Sequence, residues 1–297
     1  MAVNYAEQYA QALANAFPNV LHFGALYNTE NNSQYKFIDA NTIKVPVVKT
    51  GGRVDGTLDK IESFTRNYQN EWETKTLENY RKWKTLVPPE DIQFSNQVLS
   101  IQNITKSFNE FQKFPEMDAD CVSKINADWR AQSKTASTTA LTVDNVLSEF
   151  DKMMQAETEA NTPEMGRILY VTPQTSTLIK QAKEVTRAID IKDAGTSINR
   201  RVTDIDLVQV EVVPSALMKT AYDFTAGYKV GSSAQQINMM LIHPQAVITP
   251  VAYTYSQLDA PSAGSEGKYL YYEESYEDVF ILNQRADAIQ FNVTATA

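Results

Sequence analysis

Residues 97–132 carry apolar side chains at helical steps over an unusual length. Val98, Ile101, Ile104, Phe108 and Phe111 follow three- and four-residue spacing, and Val122, Ile125 and Trp129 resume the stripe. About 35 residues at ~1.5 Å each make a rod of roughly 50 Å, long for one compact domain. Pro115 interrupts the stripe and is followed by Glu116 and Asp118. Two readings stay open. Either a second helix starts with Pro115 at its first position, where a missing N–H costs nothing and acids suit the helix dipole, or a single helix runs through with a kink.

Upstream of the rod the chain reads as extensions. Residues 1–35 are rich in Asn, Gln, Ala and Tyr. Tyr5, Tyr9, Ala12, Leu13 and Ala16 recur at helical spacing, so a short helix is expected over 3–16, ended by Pro18. A polar run, Asn28 to Ser33, comes next, and the whole segment reads as an arm. Residues 36–48 end in an alternation, with Ile43, Val45 and Val47 on one face and Lys44 and Pro46 on the other. That is a strand, and the proline marks an edge or an end. Gly51, Gly52 and Gly56 make the next stretch a flexible loop, and polar and charged residues continue to about 74. Residues 75–87, with Leu77, Tyr80, Trp83, Leu86 and Val87, read as the returning strand, stopped by Pro88-Pro89. The expectation is one long hairpin over 36–88 with a charged, glycine-rich tip. It has too little apolar surface to stand alone in water, so it should lie against something else.

Downstream the pattern is mixed. After a low-charge linker, 133–140, Thr142 suits an N-cap, and Val143, Val146, Leu147, Phe150, Met153 and Met154 form an amphipathic stripe to about 160. The Met pair reads as core. Residues 167–171 are a short buried strand, and Thr172-Pro173 open a helix with Leu178, Ile179, Ala182 and Val185 on one face. Strands are expected at 207–213, 237–242 and 246–255, with further pieces between 268 and 293. Helices and strands are mixed without a repeating βαβ order, which makes the class α+β.

Composition narrows the function classes. Lys plus Arg is 27 and Asp plus Glu is 36, so the net charge is −9. That field repels phosphate, so sequence-independent nucleic-acid binding by the whole surface is disfavoured. Cys121 is the only cysteine, so the chain can form no internal disulfide. No Lys or Arg occurs in the first 35 residues, which does not fit a secretory signal or a transit peptide. No stretch approaches the ~18 apolar residues of a membrane span. Folding in a cytoplasm is expected.

Catalytic machinery is scarce. The two histidines are His22, in the arm, and His243, ending an apolar strand before Pro244. No nucleophile elbow, zinc motif, calcium loop or phosphate cradle accompanies them. His243 reads as structural, and Cys121 as a buried, inert thiol. Carboxylate pairs occur at Glu273-Glu274 and Glu277-Asp278, but sequence neighbours rarely supply the two carboxyls of a glycosidase cleft. The stretch YLYYEESYEDVFIL fits a solvated turn between strands.

The collinear order of arm, long hairpin, long helix and mixed domain resembles the major capsid proteins of tailed bacteriophages, of the Hong Kong 97 type. The stretches that carry the resemblance are MAVNYAEQYA, similar to the start of capsid proteins from phages of Gram-positive hosts, and NTIKVPVV, similar to the strand entering the family's E-loop. WETKTLENYRKWKTLVPPEDIQFSNQ resembles the return strand and the approach to the spine helix, and NEFQKFPEMDADCVSKI the spine-helix signature. RILYVTPQTSTLIK, INRRVTDIDLVQVEVVPSALM and INMMLIHPQAVI are similar to the axial-domain core.

The resemblance implies an arm over 1–45, an E-loop over 46–88, a peripheral domain with the spine helix over 89–140, an axial domain over 141–255 and completing strands over 256–297. It implies hexamers and pentamers of one chain closing into an icosahedral shell around double-stranded DNA, without sequence-specific binding and without a membrane. Lys49, Arg53, Asp55, Lys60, Glu62 and Arg66 are the implied inter-subunit contacts. Scaffolding, portal and decoration proteins are the further implied partners, and the virion, assembled in a host bacterial cytoplasm, the implied location. Because the arm starts at Met1, scaffolding is expected to be a separate protein, or the sequence a trimmed form. Neither Lys49 nor Lys60 matches a cross-linking motif. No enzyme activity, cofactor or metal is expected. Two alternatives stay open: an encapsulin-like compartment shell, and a carbohydrate-active hydrolase using acidic residues.

Overall fold

A computed structural model describes residues 19–33, 35–39, 41–53, 66–94, 101–182, 190–191, 198–199 and 203–295. The helix expected over 3–16 lies outside the described residues.

The architecture is α+β, as the pattern implied. At its centre lies a five-stranded sheet, ordered Ile289–Val293, Ile237–Ile242, Ile168–Val171, Val208–Val212, Asp204–Ile205. One pair, Ile168–Val171 with Val208–Val212, is parallel, and the other neighbours run antiparallel. Side chains alternate between two cores, as a period of two requires. Ile168, Tyr170, Met240, Ile242 and Phe291 face one core with Val122, Ile125 and Trp129 of the long helix. Leu169, Val171, Met239, Leu241 and Val210 face the other, with Val146, Phe150 and Met153. That second core is closed by helices Val146–Glu159 and Pro173–Gln181. Thr172 caps the latter as expected, its hydroxyl accepting from the Thr175 N–H at 3.3 Å. The former starts later than expected: Asn145, not Thr142, is its N-cap residue, and the Asn145 carboxamide oxygen accepts the Thr142 N–H at 2.7 Å.

The long rod is a single helical run. Ile101–Phe108 and Phe114–Ala131 are α-helical, and the turn between them, Asn109–Lys113, is π-helical. The physical reason is Pro115. It has no N–H to give to residue 111, and its ring would press on that carbonyl. The wider turn, with the Phe114 N–H bonded to the Asn109 carbonyl five residues back, relieves both. The proline thus neither breaks the rod nor starts a separate helix.

Two strand assignments change. The partner of Thr42–Thr50 is Tyr68–Thr76, in nine consecutive pairs from Thr42 with Thr76 to Thr50 with Tyr68. The expected return strand exists as Tyr80–Val87, but it pairs with Tyr269–Glu277. Tyr269–Glu277, read as a solvated turn, is instead the middle strand of a second sheet, flanked by Val251–Asp259 and Tyr80–Val87. This sheet lies along the rod, with Trp83 stacked on Phe108 at 4.0 Å between centroids.

The start of the described chain, residues 19–33, is tied into the core. Phe23 and Leu26 are fully buried, and Phe23 packs on Tyr170 at 4.5 Å. Asp118 of the rod accepts the backbone N–H groups of His22 and Phe23, each at 3.1 Å, and the His22 ring at 2.9 Å. The polar run is pinned in turn: Asn31 donates to the Val247 carbonyl and Asn32 to Thr249. Among the described residues no helix is long and apolar enough to cross a membrane.

Candidate inter-subunit surface and the acidic cleft

The hairpin Thr42–Thr50 with Tyr68–Thr76 is anchored at one end only. Ile43, Val45 and Leu77 pack with Ile248 and Phe280 in a small core of their own. Beyond Val45 the two strands leave the body, and five residues, Pro46 to Thr50, at ~3.3 Å each project roughly 17 Å. Residues paired directly across an antiparallel ladder share a face. Pro46 faces Trp72, Val48 faces Asn70 and Thr50 faces Tyr68. The projecting hairpin therefore carries an apolar stripe of Pro46, Val48, Trp72 and Tyr68, with Val48 62% and Trp72 45% exposed.

The charges sit beside this stripe. Lys49 pairs with Glu71 at 2.9 Å, both half-exposed. Arg66 lies over the Tyr68 ring at 4.6 Å. Gly51 bonds through its N–H to the Asn67 carbonyl at 3.0 Å, which brings exposed Arg53 and Arg66 to the same end of the hairpin. Asp55, Lys60 and Glu62 lie outside the described residues. The apolar stripe was not read from the sequence, because Trp72 and Tyr68 fall in a stretch whose polar neighbours hide the alternation.

The acidic pairs have a different arrangement from a catalytic dyad. Neighbours on a strand point to opposite faces. Glu273 turns to the rod and meets Lys113 at 3.2 Å, while Glu274 turns away and accepts the Tyr80 hydroxyl at 2.5 Å. Asp278 is buried and saturated: it accepts from the Glu78 and Val279 N–H groups, each at 2.8 Å, and pairs with Lys124 at 2.9 Å. Glu116 pairs with Arg81 at 2.5 Å. Arg81, Lys113, Glu116, Glu273 and Asp278 line a cleft of about 320 Å³ between rod and second sheet. Burial pushes Asp120 up to about 7, with Lys124 pulling it down and Asp278 pushing it up. Burial also raises Glu277, against the pull of Lys113. The carboxylates act as joints that tie the rod to the sheet.

His243 holds a turn. Its Nε2 meets the Met165 carbonyl at 3.2 Å, its Nδ1 accepts the Gln245 N–H at 3.2 Å, and burial lowers its pKa. Cys121 is fully buried, and burial raises its thiol well above the usual value. Among the described residues no group of His, Cys, Asp and Glu is placed to hold a metal ion.

No family model matches the chain, and no curated protein sequence matches it. Solved structures do match its fold. The mature capsid of bacteriophage PhiM1 aligns at a TM-score of 0.63 and 12% identity over 86% of this chain and 83% of that one. The capsid of the cyanophage P-SCSP1u aligns at 0.63 and 12% identity over 95% and 90%. The capsid of a native GTA particle aligns at 0.56 and 13% identity over 87% and 86%. A central sheet with helices on both faces, a rod laid against a second sheet and a hairpin leaving the body are thus the capsid fold of the Hong Kong 97 type.

Proposed function

We propose that this protein is the major capsid protein of a tailed bacteriophage of a Gram-positive host. Copies assemble into hexamers and pentamers that close into an icosahedral shell around double-stranded DNA. The observation that carries this reading is the projecting hairpin with an uncovered apolar stripe at Val48, Tyr68 and Trp72. Such a stripe costs free energy in water and gains it under a neighbour. One patch meets a different patch in that arrangement, so the contact repeats around a ring until rotation closes it. The hairpin then serves as the E-loop within residues 46–88, with an arm over 1–45, a peripheral domain over 89–140, an axial domain over 141–255 and completing strands over 256–297.

Lys49, Arg53 and Arg66, with Asp55, Lys60 and Glu62, are the proposed polar rim of that contact. The −9 charge supports a container that encloses DNA without adhering to it. The shell forms in the host cytoplasm, with scaffolding, portal and decoration proteins as partners, and ends in the virion. The chain does no chemistry, and the pairing of Glu116, Glu273 and Asp278 with Arg81, Lys113 and Lys124 supports that over a hydrolase.

Electron microscopy of the purified protein tests the reading. Closed shells or hexameric rings are expected, and a stable monomer with glycan turnover would overturn it. Trp72→Glu should leave the monomer's thermal transition unchanged and abolish assembly. Nuclease-protected DNA in native particles separates a phage shell from an encapsulin-like compartment.

A further inference from the structure

A sheet edge is a row of unpaired N–H and C=O groups, and native proteins guard it with charge, proline, short length or cover. Most long edges among the described residues are guarded in this way. Tyr68–Thr76 carries Glu71, Glu73 and Lys75, and Tyr80–Val87 carries Arg81, Lys82 and Lys84. Ile289–Val293 is covered by Ser137, which donates its N–H to the Phe291 carbonyl at 2.9 Å and accepts the Val293 N–H at 2.8 Å. Val251–Asp259 has none of these devices. It is the outer strand of the second sheet, nine residues and roughly 30 Å long. From Val251 to Leu258 it holds no charged residue and no proline. Its inner edge pairs with Tyr269–Glu277, and among the described residues no strand pairs with its outer edge. Val251 and Tyr253 are each 47% exposed. An exposed, uncharged strand of this kind is a template for another strand.

The composition of the strand selects its partner. Laid antiparallel on a copy of itself about Tyr255, it sets Tyr255 opposite Tyr255, Thr254 opposite Ser256 and Tyr253 opposite Gln257. Aromatic pairs and Thr–Ser pairs are cross-strand neighbours that favour a sheet, and no like charges meet. The register also keeps the faces matched. Tyr253 and Tyr255 stand on one face, two residues apart, with rings 6.3 Å apart and 4° between planes. The tyrosines of the copy continue that face. The hairpin edge Tyr68–Thr76 is a poorer partner, because it brings Glu71 and Glu73 against uncharged residues.

We propose that Val251–Asp259 pairs with the same strand of a second copy, antiparallel, about a two-fold axis through Tyr255. The second sheets then join, three strands from each copy, with both tyrosine faces on one side. The contact is isologous, unlike the heterologous one of the hairpin, and does not depend on it. One strand pair is small beside the ~1,200–2,000 Å² of a stable interface, so covalent capture reads it better than sedimentation.

The lone native cysteine is fully buried, so introduced thiols report the contact without competition. Full-length chains carrying Tyr255→Cys, Tyr253→Cys or Gln257→Cys are oxidised separately, and disulfide-linked peptides are identified by mass. Residues directly opposite lie ~4.5–5.5 Å apart at Cα, within disulfide reach. Residue 253 lies about 13 Å from its own copy, and so does residue 257. Tyr255→Cys should therefore form linked dimers roughly tenfold faster than either other variant, and a mixture of Tyr253→Cys and Gln257→Cys chains should link at the faster rate. Equal rates for the three single variants overturn the proposal, as does a lack of linkage at 255. Faster capture of Tyr255→Cys by chains carrying Asn70→Cys also overturns it, since that assigns the edge to the hairpin of another copy. Adding Thr254→Lys and Ser256→Lys to Tyr255→Cys sets lysines opposite each other and should slow linkage about tenfold; undiminished linkage overturns the proposal.

Discussion

Asp120 is 5% exposed and sits among Asp278, Glu277 and Glu116, with Lys124 as its nearest opposing charge. Its carboxyl stays protonated up to about pH 7 in the folded chain, against 3.8 when unperturbed. The folded state then binds more protons than the unfolded state between those values, so stability falls as pH rises through that window. Its contribution is full below about pH 4 and gone above about pH 7. Asp120→Asn should therefore raise the melting temperature at pH 8 and leave it unchanged at pH 4, with a gain on the order of 1–3 kcal/mol. Thermal unfolding at the two pH values checks this. Arg167 is the converse case, a buried charge kept in place by its partners. It is 1% exposed, pairs with Glu157 at 3.1 Å, and donates to the Thr162 carbonyl at 2.7 Å and the Pro163 carbonyl at 2.9 Å. It closes the turn between helix Val146–Glu159 and strand Ile168–Val171. Burial raises Glu157 to about 8 even beside Arg167, so Arg167→Ala acts mainly by leaving a cavity and stripping the Thr162 and Pro163 carbonyls of their donor, and should cost roughly 2–4 kcal/mol in chemical denaturation. Neither role was legible in the sequence, where Arg167 only opens RILYV and Asp120 is one acid among many. Burial and charge neighbours are set by chain segments far apart in sequence.

The rod shows what an element adds. An α-helix turns once in 3.6 residues, so one extra residue in the π turn rotates the C-terminal half of the rod by about 100° against the first half. Phe108, before the turn, meets the second sheet through Trp83; after it, Val122, Ile125 and Trp129 meet the central sheet while Glu116 still pairs with Arg81 of the second. A straight helix holds one stripe on one side, and this one serves two sheets. The stack of Phe108 on Trp83, at 4.0 Å and 8° between planes, fastens the first half. Phe108→Ala should cost about 2 kcal/mol. The readouts are a lower thermal midpoint and a change in tryptophan emission; an unchanged midpoint would mean that the stack bears no weight. The helical stripe and the central strands were visible in the sequence because burial imposes a strict period on them. The hairpin's second strand is hidden in the sequence for the same reason. Tyr68–Thr76 is exposed at most positions, so water imposes no alternation, and the better-patterned strand Tyr80–Val87 was read as its partner. The middle strand Tyr269–Glu277 was obscured by its own acids, which are satisfied by lysine and tyrosine rather than by solvent.

At the scale of the whole molecule, the mixed class could be read from the sequence. The pairing of distant segments could not. Tyr80–Val87 finds its partner near residue 270, and Phe23 finds its own at Tyr170, contacts that no local pattern specifies. The central sheet carries this furthest. Its outer strand, Ile289–Val293, supplies the buried side chains of Ile289, Phe291 and Val293, and the Trp129 indole donates to the Ala286 carbonyl at 3.1 Å. Synthesis runs from the N-terminus, so the ribosome releases the rod long before the strand that completes its core. The central fold cannot close until residues near 293 leave the exit tunnel. Nascent chains stalled after residue 280 should be cleaved readily by protease, and chains extended by an exposed linker past 297 should resist. A body completed only by its late strand is a timing device: a growing chain keeps the apolar face of its rod uncovered until synthesis is almost done.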